Sequence, residues 1–299
     1  MLARTVARSY LFAPADNELL LEKVFSAGAD AVVLDLEDAV LPSGKARARL
    51  LLANALKQRA VSSMPIFVRI NPVSSGSDWQ ADIEAAVAPS TAGIRLAKAG
   101  SQSEINFVDQ ALSSAERRLG IVPGSVSIVP TIETAEGLLK SAEMATCPRV
   151  TGFCFGASDF LNDISGELDQ AATALNYAQS YLVLVSKSAG LLAPIASVHT
   201  DISDIQGLKR TTEQFRRMGF FGRSCIHPSQ LAVVHEVFTP TPEQIKEART
   251  VIETYENAAA GGSGVSKTSA HHFVDESVVA RARKTLSLAT QFSRRVDKS

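Results

Sequence analysis

Residues 126–138, VSIVPTIETAEGL, constrain the fold more tightly than any other stretch. They open as an apolar run rich in β-branched residues, the composition of a strand buried on both faces of a sheet. A carboxylate, Glu133, stands at the end of that run, and Thr134 is placed to cap a helix beginning TAEGLLKSAEM. Strand, terminal carboxylate and helix in immediate succession make one βα unit. Proteins built from such units carry their active-site residues at that end of their strands.

The same pattern recurs along the chain. Apolar strand patterns fall at residues 9–14, 31–36, 66–71, 93–97, 126–132, 152–156, 192–199 and 222–227, with helical patterns between them. Eight strands alternating with helices predict a (β/α)8 TIM barrel. A doubly wound open sheet is the alternative. It usually carries a glycine fingerprint after its first strand, and LFAPAD has none. The barrel is expected over residues 1–239 and a C-terminal helical extension or lid over residues 240–299. That extension reads as a helix over 241–260, a flexible linker GGSGVSKTS over 261–269 and an amphipathic helix over 275–296. Such a tail packs on its own barrel, closes over it as a lid, or reaches a neighbouring subunit.

Charge and cysteine content narrow the function classes. Lys plus Arg total 30 and Asp plus Glu 31, a balance that argues against nucleic acid as the partner. Cys147, Cys154 and Cys225 are odd in number and have no metal-site spacing, which fits a reducing cytoplasm and a packing role. The first residues resemble neither a signal peptide nor a membrane span, so a cytoplasmic location without a membrane partner is expected.

The strand ends carry Asp35 and Glu37, Arg69, Lys98, Glu133, Asp159, His199 and His227. Glu133 and Asp159, from consecutive strands, are suited to one oxygen-preferring cation, and Mg2+ takes one or two protein carboxylates while keeping water and substrate oxygens. The planar fork of Arg69 suits bidentate capture of a substrate carboxylate. Metal and arginine together suit a 2-oxo or 2-hydroxy acid. Each residue also has a plainer reading. The carboxylates serve equally as helix caps or lysine partners, and Arg69 as an internal bridge to Asp35 or Glu37. Glu37 and Asp38 read as structural. His227 is expected to donate a hydrogen bond that fixes the last strand's turn, His235 to be part-buried scaffold, and His271 and His272 to be solvated.

RSYLFAPAD, AVVLDLEDAV, KARAR, VRIN, IETAEGL, FGASDF and CIHPSQL occur in the order seen in the citrate lyase β-subunit-like family of the HpcH/HpaI aldolase group, which the chain resembles from about Arg8 onward. The resemblance implies a TIM barrel that assembles as a homo-oligomer, a trimer or hexamer. It implies Mg2+ (or Mn2+) as cofactor and coenzyme A as part of the substrate. By position, Glu133 and Asp159 match the family's metal ligands and Arg69 its substrate-carboxylate arginine. Asp275, in HHFVDESVV, matches the catalytic aspartate that the C-terminal segment brings to a neighbour's site. Arg8, Lys45 and Arg49 match basic positions near the coenzyme A end. The chain departs from the pattern at Ala15, at AGS after Lys98, in FLNDISG and at His271, His272 and Ser277 around Asp275.

The implied activity is carbon–carbon cleavage of a 3-hydroxyacyl-CoA thioester of the citramalyl, malyl or citryl type, giving a 2-oxo acid and acetyl-CoA or a homologue. The alternatives are a malyl-CoA-type thioesterase on the same scaffold and an acyl-carrier-dependent citrate lyase subunit. A Schiff base at Lys98 ranks below the metal route.

Overall fold

A computed structural model describes residues 6–59, 64–76, 78–167, 172–261, 265–267 and 273–296. His271 and His272 lie outside them. The described chain divides into two compact units, Met1–His235 and Glu236–Ser299.

The first unit is built on a seven-stranded parallel sheet: β1 Ser9–Pro14, β2 Ala31–Asp35, β3 Ile66–Ile70, β4 Thr91–Leu96, β5 Ser127–Ile132, β6 Cys154–Phe155 and β7 Arg223–Cys225, in the order β6-β5-β4-β3-β2-β1-β7. Its helices are α1 Glu18–Lys23, α2 Lys45–Lys57, α3 Asp78–Ala86, α4 Gln102–Arg118, α5 Ala135–Leu139, α6 Ser141–Met144, α7 Ala157–Asp163, α8 Ala172–Ser188 and α9 Ile205–Met218, and the division between the units falls within α10 Leu231–Phe238. Every residue of β2 and β5 is buried, as their uninterrupted apolar runs predict for strands covered on both faces. Tyr10, Ala31, Val33, Phe67, Val129, Cys154 and Ile195 fill the interior.

The strand expected over 192–199 is reduced to bridges. Ile195 pairs with Cys154 and Ala196 with Arg223, both in parallel. Backbone bonds from Ile195 N to Phe153 O at 2.8 Å and from Ser224 N to Ala196 O at 3.0 Å carry this segment between β6 and β7. Too few consecutive ladder bonds form there for a strand. Thr134 caps α5 as expected, accepting from Gly137 N at 3.0 Å, and Gly219 ends α9 in the left-handed conformation at φ 106°.

In the second unit, α11 Pro242–Ala260 and α12 Glu276–Val296 share a small core of Ala248, Val251, Val279 and Ala282. The expected linker is not structureless throughout. Within it, β8 Ser266–Lys267 pairs antiparallel with β9 Phe273–Val274. Val274 is fully buried in the core of this unit, and that anchor holds the short pairing in place. No described helix is long and apolar enough to cross a membrane.

Candidate active site

Parallel strands bring their C-terminal ends to one edge of the sheet, and the charged residues gather there. Asp35 ends β2, and its register partner on β3 is Arg69. Arg69 locks onto the buried Asp35 through both arms of its fork, Nε to Oδ1 at 2.7 Å and Nη2 to Oδ2 at 2.5 Å. Its Nη1 lies 2.9 Å from Glu37 Oε2. The internal bridge expected as the plainer reading of Arg69 therefore exists. It is also a mount: Asp35 fixes the guanidinium plane, with Nη1 directed to Glu37 and, at 3.9 Å, to Asp38. Burial disfavours the charged arginine, but Asp35, Glu37 and Glu133 outweigh it and hold its pKa above the ordinary value.

Glu133 follows β5 and is 4% exposed. Its Oε2 accepts the Lys98 backbone N–H at 2.7 Å. Lys98 supplies that N–H from a left-handed backbone, φ 48°, a conformation non-glycine residues seldom adopt. Glu133 Oε1 receives no hydrogen bond from the described residues and faces Gly156, where a Cβ would stand 2.5 Å from it. Burial pushes the Glu133 pKa up to about 7. The Lys98 amide and Arg69 pull it down, while the charges of Glu37 and Asp159 raise it further. Asp159, half-buried in the first turn of α7, is thus near enough for its charge to be felt at Glu133. Lys98 Nζ donates to Glu37 Oε1 at 2.7 Å. Although burial opposes the charge, Glu37, Asp38 and Glu133 raise its pKa, so Lys98 is an ammonium at neutral pH and a poor Schiff-base nucleophile.

Behind this cluster lies a second polar layer. Lys45 Nζ donates to Leu36 O at 2.6 Å, Glu37 O at 2.7 Å and Asn71 Oδ1 at 2.9 Å. Arg49 Nε donates to the buried Asp82 at 2.7 Å, and Asp82 accepts Asn71 Nδ2 at 2.6 Å. Lys45 and Arg49 are thus committed to tying the ends of β2 and β3 to α2 and α3. Arg8 precedes β1, at the opposite edge of the sheet from Glu133. Its Nε and Nη2 engage Asp30 at 2.8 and 2.9 Å. The structure does not bring Arg8 together with the carboxylate cluster. The three basic residues that matched the coenzyme A end are each engaged inside the protein.

Asp275 belongs to the second unit, ahead of α12. Its Oδ1 accepts Ser277 Oγ at 2.7 Å and Val278 N at 3.0 Å, and these bonds lower its pKa. His227 differs from expectation: its Nδ1 accepts the Ser229 N–H at 3.2 Å as a cap rather than donating to the turn. His235 is scaffold, 2.7 Å from Ser9 Oγ. Cys147, Cys154 and Cys225 are free and buried. Sequence reasoning passed over Gly156, Asn71, Asp82 and Arg95. A charged residue in the middle of the apolar run GIRL was the visible signal for Arg95.

Among the described residues no group of three or more His, Cys, Asp or Glu side chains is arranged to hold a metal. A pair suits Mg2+, which fills its other positions with water and substrate oxygens. Glu133 offers an oxygen without an internal donor, beside a glycine cradle that any side chain would fill. The donor set therefore fits the cation.

The description HpcH/HpaI aldolase/citrate lyase matches residues 8–228, and a carbon–carbon bond lyase of the TIM-barrel fold matches residues 171–293. Citrate lyase subunit beta of Leuconostoc mesenteroides subsp. cremoris is 31% identical over 283 residues, covering 94% of this chain and 93% of that protein. A (3S)-malyl-CoA thioesterase of Cereibacter sphaeroides is also 31% identical, covering 94% of each. The CitE protein of Mycobacterium tuberculosis in complex with magnesium, acetoacetate and coenzyme A superposes with a TM-score of 0.76 at 29% identity, over 96% of this chain and 99% of that one. The citrate lyase beta subunit of the same organism, complexed with oxaloacetate and magnesium, gives 0.67 at 30% identity, over 80% and 100%.

Proposed function

Because the chain belongs to the HpcH/HpaI aldolase/citrate lyase family and also matches a carbon–carbon bond lyase of the TIM-barrel fold, we propose that it cleaves a 3-hydroxyacyl-CoA thioester to a 2-oxo acid and acetyl-CoA or a homologue, with Mg2+ as cofactor. The observation that carries this reading is the buried Glu133. One of its oxygens is fixed by the Lys98 amide and the other is open, with Asp159 and Arg69 close enough to perturb it. The sheet is read as an eight-stranded barrel, supported by the bridges through Ile195 and Ala196. The homo-oligomeric state rests on the family pattern alone.

In this mechanism Glu133 and Asp159 hold Mg2+, which supplies Lewis-acid polarisation of the substrate's oxygens. Arg69, its plane fixed by Asp35, turns its outer N–H groups to the substrate carboxylate and sets the orientation of the carbon to be cleaved. Asp275, brought by a neighbouring subunit in the family pattern, or a water that it orients, accepts the proton of the 3-hydroxyl. The oxygen's electron pair forms the carbonyl of the 2-oxo acid. The carbon–carbon pair passes to the thioester as an enolate, which takes the proton back at carbon. Lys98 stays protonated beside Glu37 and positions the loop. The low pKa of Asp275 keeps it ionised and ready to accept, at some expense in basicity.

The test is release of a 2-oxo acid from citramalyl-, malyl- or citryl-CoA by the purified protein with Mg2+. Full activity of Glu133→Ala with the metal chelated refutes the metal assignment. An undiminished rate in Asp275→Asn refutes the base. The likeness to a malyl-CoA thioesterase favours a second reading, hydrolysis of the thioester. Free CoA with an intact hydroxy acid among the products identifies it.

A further inference from the structure

The proposed reaction leaves one buried charge unused. Arg95 stands in the middle of β4 and is 1% exposed. Its side chain crosses the interior. Nη1 donates to Ser224 Oγ on β7 at 2.9 Å and lies 3.7 Å from Cys154 Sγ on β6, and Cζ is 4.6 Å from the centre of the Tyr10 ring. Nε and Nη2 are buried without a hydrogen-bond partner, and no carboxylate among the described residues pairs with the guanidinium. Buried charges are ordinarily paired, because removing a lone ion from water is unfavourable. Nε carries one N–H and Nη2 two, so Arg95 holds the donor fork that matches a carboxylate with nothing in it.

Three further facts place this fork beneath the site. Arg95 is the register partner of Arg69, so both side chains leave the sheet on the same side. Both guanidinium groups lie against the half-buried Phe12, whose ring centre is 5.2 Å from Arg69 Cζ and 5.4 Å from Arg95 Cζ. On β5, Thr131 shares the inward face with Glu133 two residues on, and its buried hydroxyl also lacks a partner. The aromatic and aliphatic surroundings, Tyr10, Phe12 and Val129, provide no counter-ion.

We infer that Arg95, with Thr131, determines specificity by taking a second carboxylate on the oxo-acid half of the substrate, reached past the edge of Phe12. Arg69 takes the carboxylate next to the reacting carbon, and the fork of Arg95 takes the distal one. The preferred oxo-acid product then carries two carboxylates rather than one. This assignment rests on the lyase reading for its substrate but is tested by binding alone.

The experiment is calorimetric titration of oxaloacetate and of pyruvate into the protein with Mg2+, for wild type, Arg95→Met and Thr131→Val. The wild type should bind the dicarboxylate at least tenfold more tightly. Arg95→Met should bring the two ligands within about threefold while leaving pyruvate affinity unchanged, a selective loss that a merely structural role would not produce. Thr131→Val, close in volume, should narrow the ratio in the same direction and serves if Arg95→Met does not fold. An unchanged ratio in the variants, or no preference in the wild type, overturns the inference. Absence of turnover with every CoA thioester would refute the lyase reading instead, and the binding ratio would still decide the role of Arg95.

Discussion

Replacing Gly156 by alanine tests the architecture of the site with a single methyl group. The backbone there, φ −108° and ψ 92°, is open to any residue, so the effect is steric alone. The new Cβ would stand 2.5 Å from Glu133 Oε1 and 2.9 Å from its Cδ, with Cγ nearer still. Ordinary contacts begin near 3.4 Å, so the carboxylate must retreat by about 1 Å. Glu133 is enclosed, and its Oε2 is held by Lys98 N at 2.7 Å. A retreat of that size stretches the bond beyond hydrogen-bonding distance, losing a charge-assisted bond worth about 1.5–3 kcal/mol. A 1 Å misplacement of a site group costs roughly 100-fold in rate. The expected outcome in Gly156→Ala is a fall of about two orders of magnitude in kcat/KM and weaker Mn2+ binding by electron paramagnetic resonance, with thermal unfolding lowered by only a few degrees. A variant with wild-type kcat/KM and metal affinity refutes the reasoning, because it would mean that Glu133 relaxes without loss.

Arg69→Lys replaces a fork by a point charge and cannot span both oxygens of Asp35, so we expect at least a roughly 100-fold loss of kcat/KM and a measurable fall in stability, read by steady-state kinetics and urea unfolding. Arg149 sits at the other edge of the sheet, pairing with Asp109 and with the fully buried Glu116 at 2.7 Å. Arg149→Ala should therefore lower stability by about 3–5 kcal/mol, the range for orphaning a buried charge, while KM of the folded fraction stays unchanged. Asp30 gives a pH signature. Burial raises its pKa, but the bonds and charge of Arg8 prevail and hold it at about 2. Since the folded pKa lies below the unfolded one, near 3.9, its contribution of about 2 kcal/mol is complete above pH 4 and is lost as pH falls towards 2. Urea midpoints across that window should flatten in Asp30→Asn, and an unchanged slope would contradict the assignment.

Much of the site was legible because a parallel sheet converts sequence position into spatial position. A residue at a strand's C-terminal end lands on the same edge of the sheet whatever its neighbours, so Asp35, Arg69, Lys98, Glu133 and Asp159 could be gathered as candidates without coordinates. Arg8, Lys45 and Arg49 were not legible in this way. Their types suit an anion, but the side chains that engage them are remote in sequence: Asp30 is 22 positions from Arg8, Asn71 is 26 from Lys45, and Asp78 and Asp82 are 29 and 33 from Arg49. The expected strand over 192–199 shows the same limit. Its composition suits a strand, but only Ile195 and Ala196 find ladder partners.

The sequence by itself determined the alternation of strands and helices, the family, and which side chains reach the C-terminal edge of the sheet. These follow from local periodicity and from the direction of each strand. The tertiary structure decided what those side chains do there. It bound Arg69 to Asp35, fixed one oxygen of Glu133 with an amide from a left-handed Lys98, left the other open beside Gly156, and buried Arg95 without a counter-ion among the described residues. Each of these depends on distances between residues remote in sequence and on water excluded by packing, neither of which a linear pattern encodes.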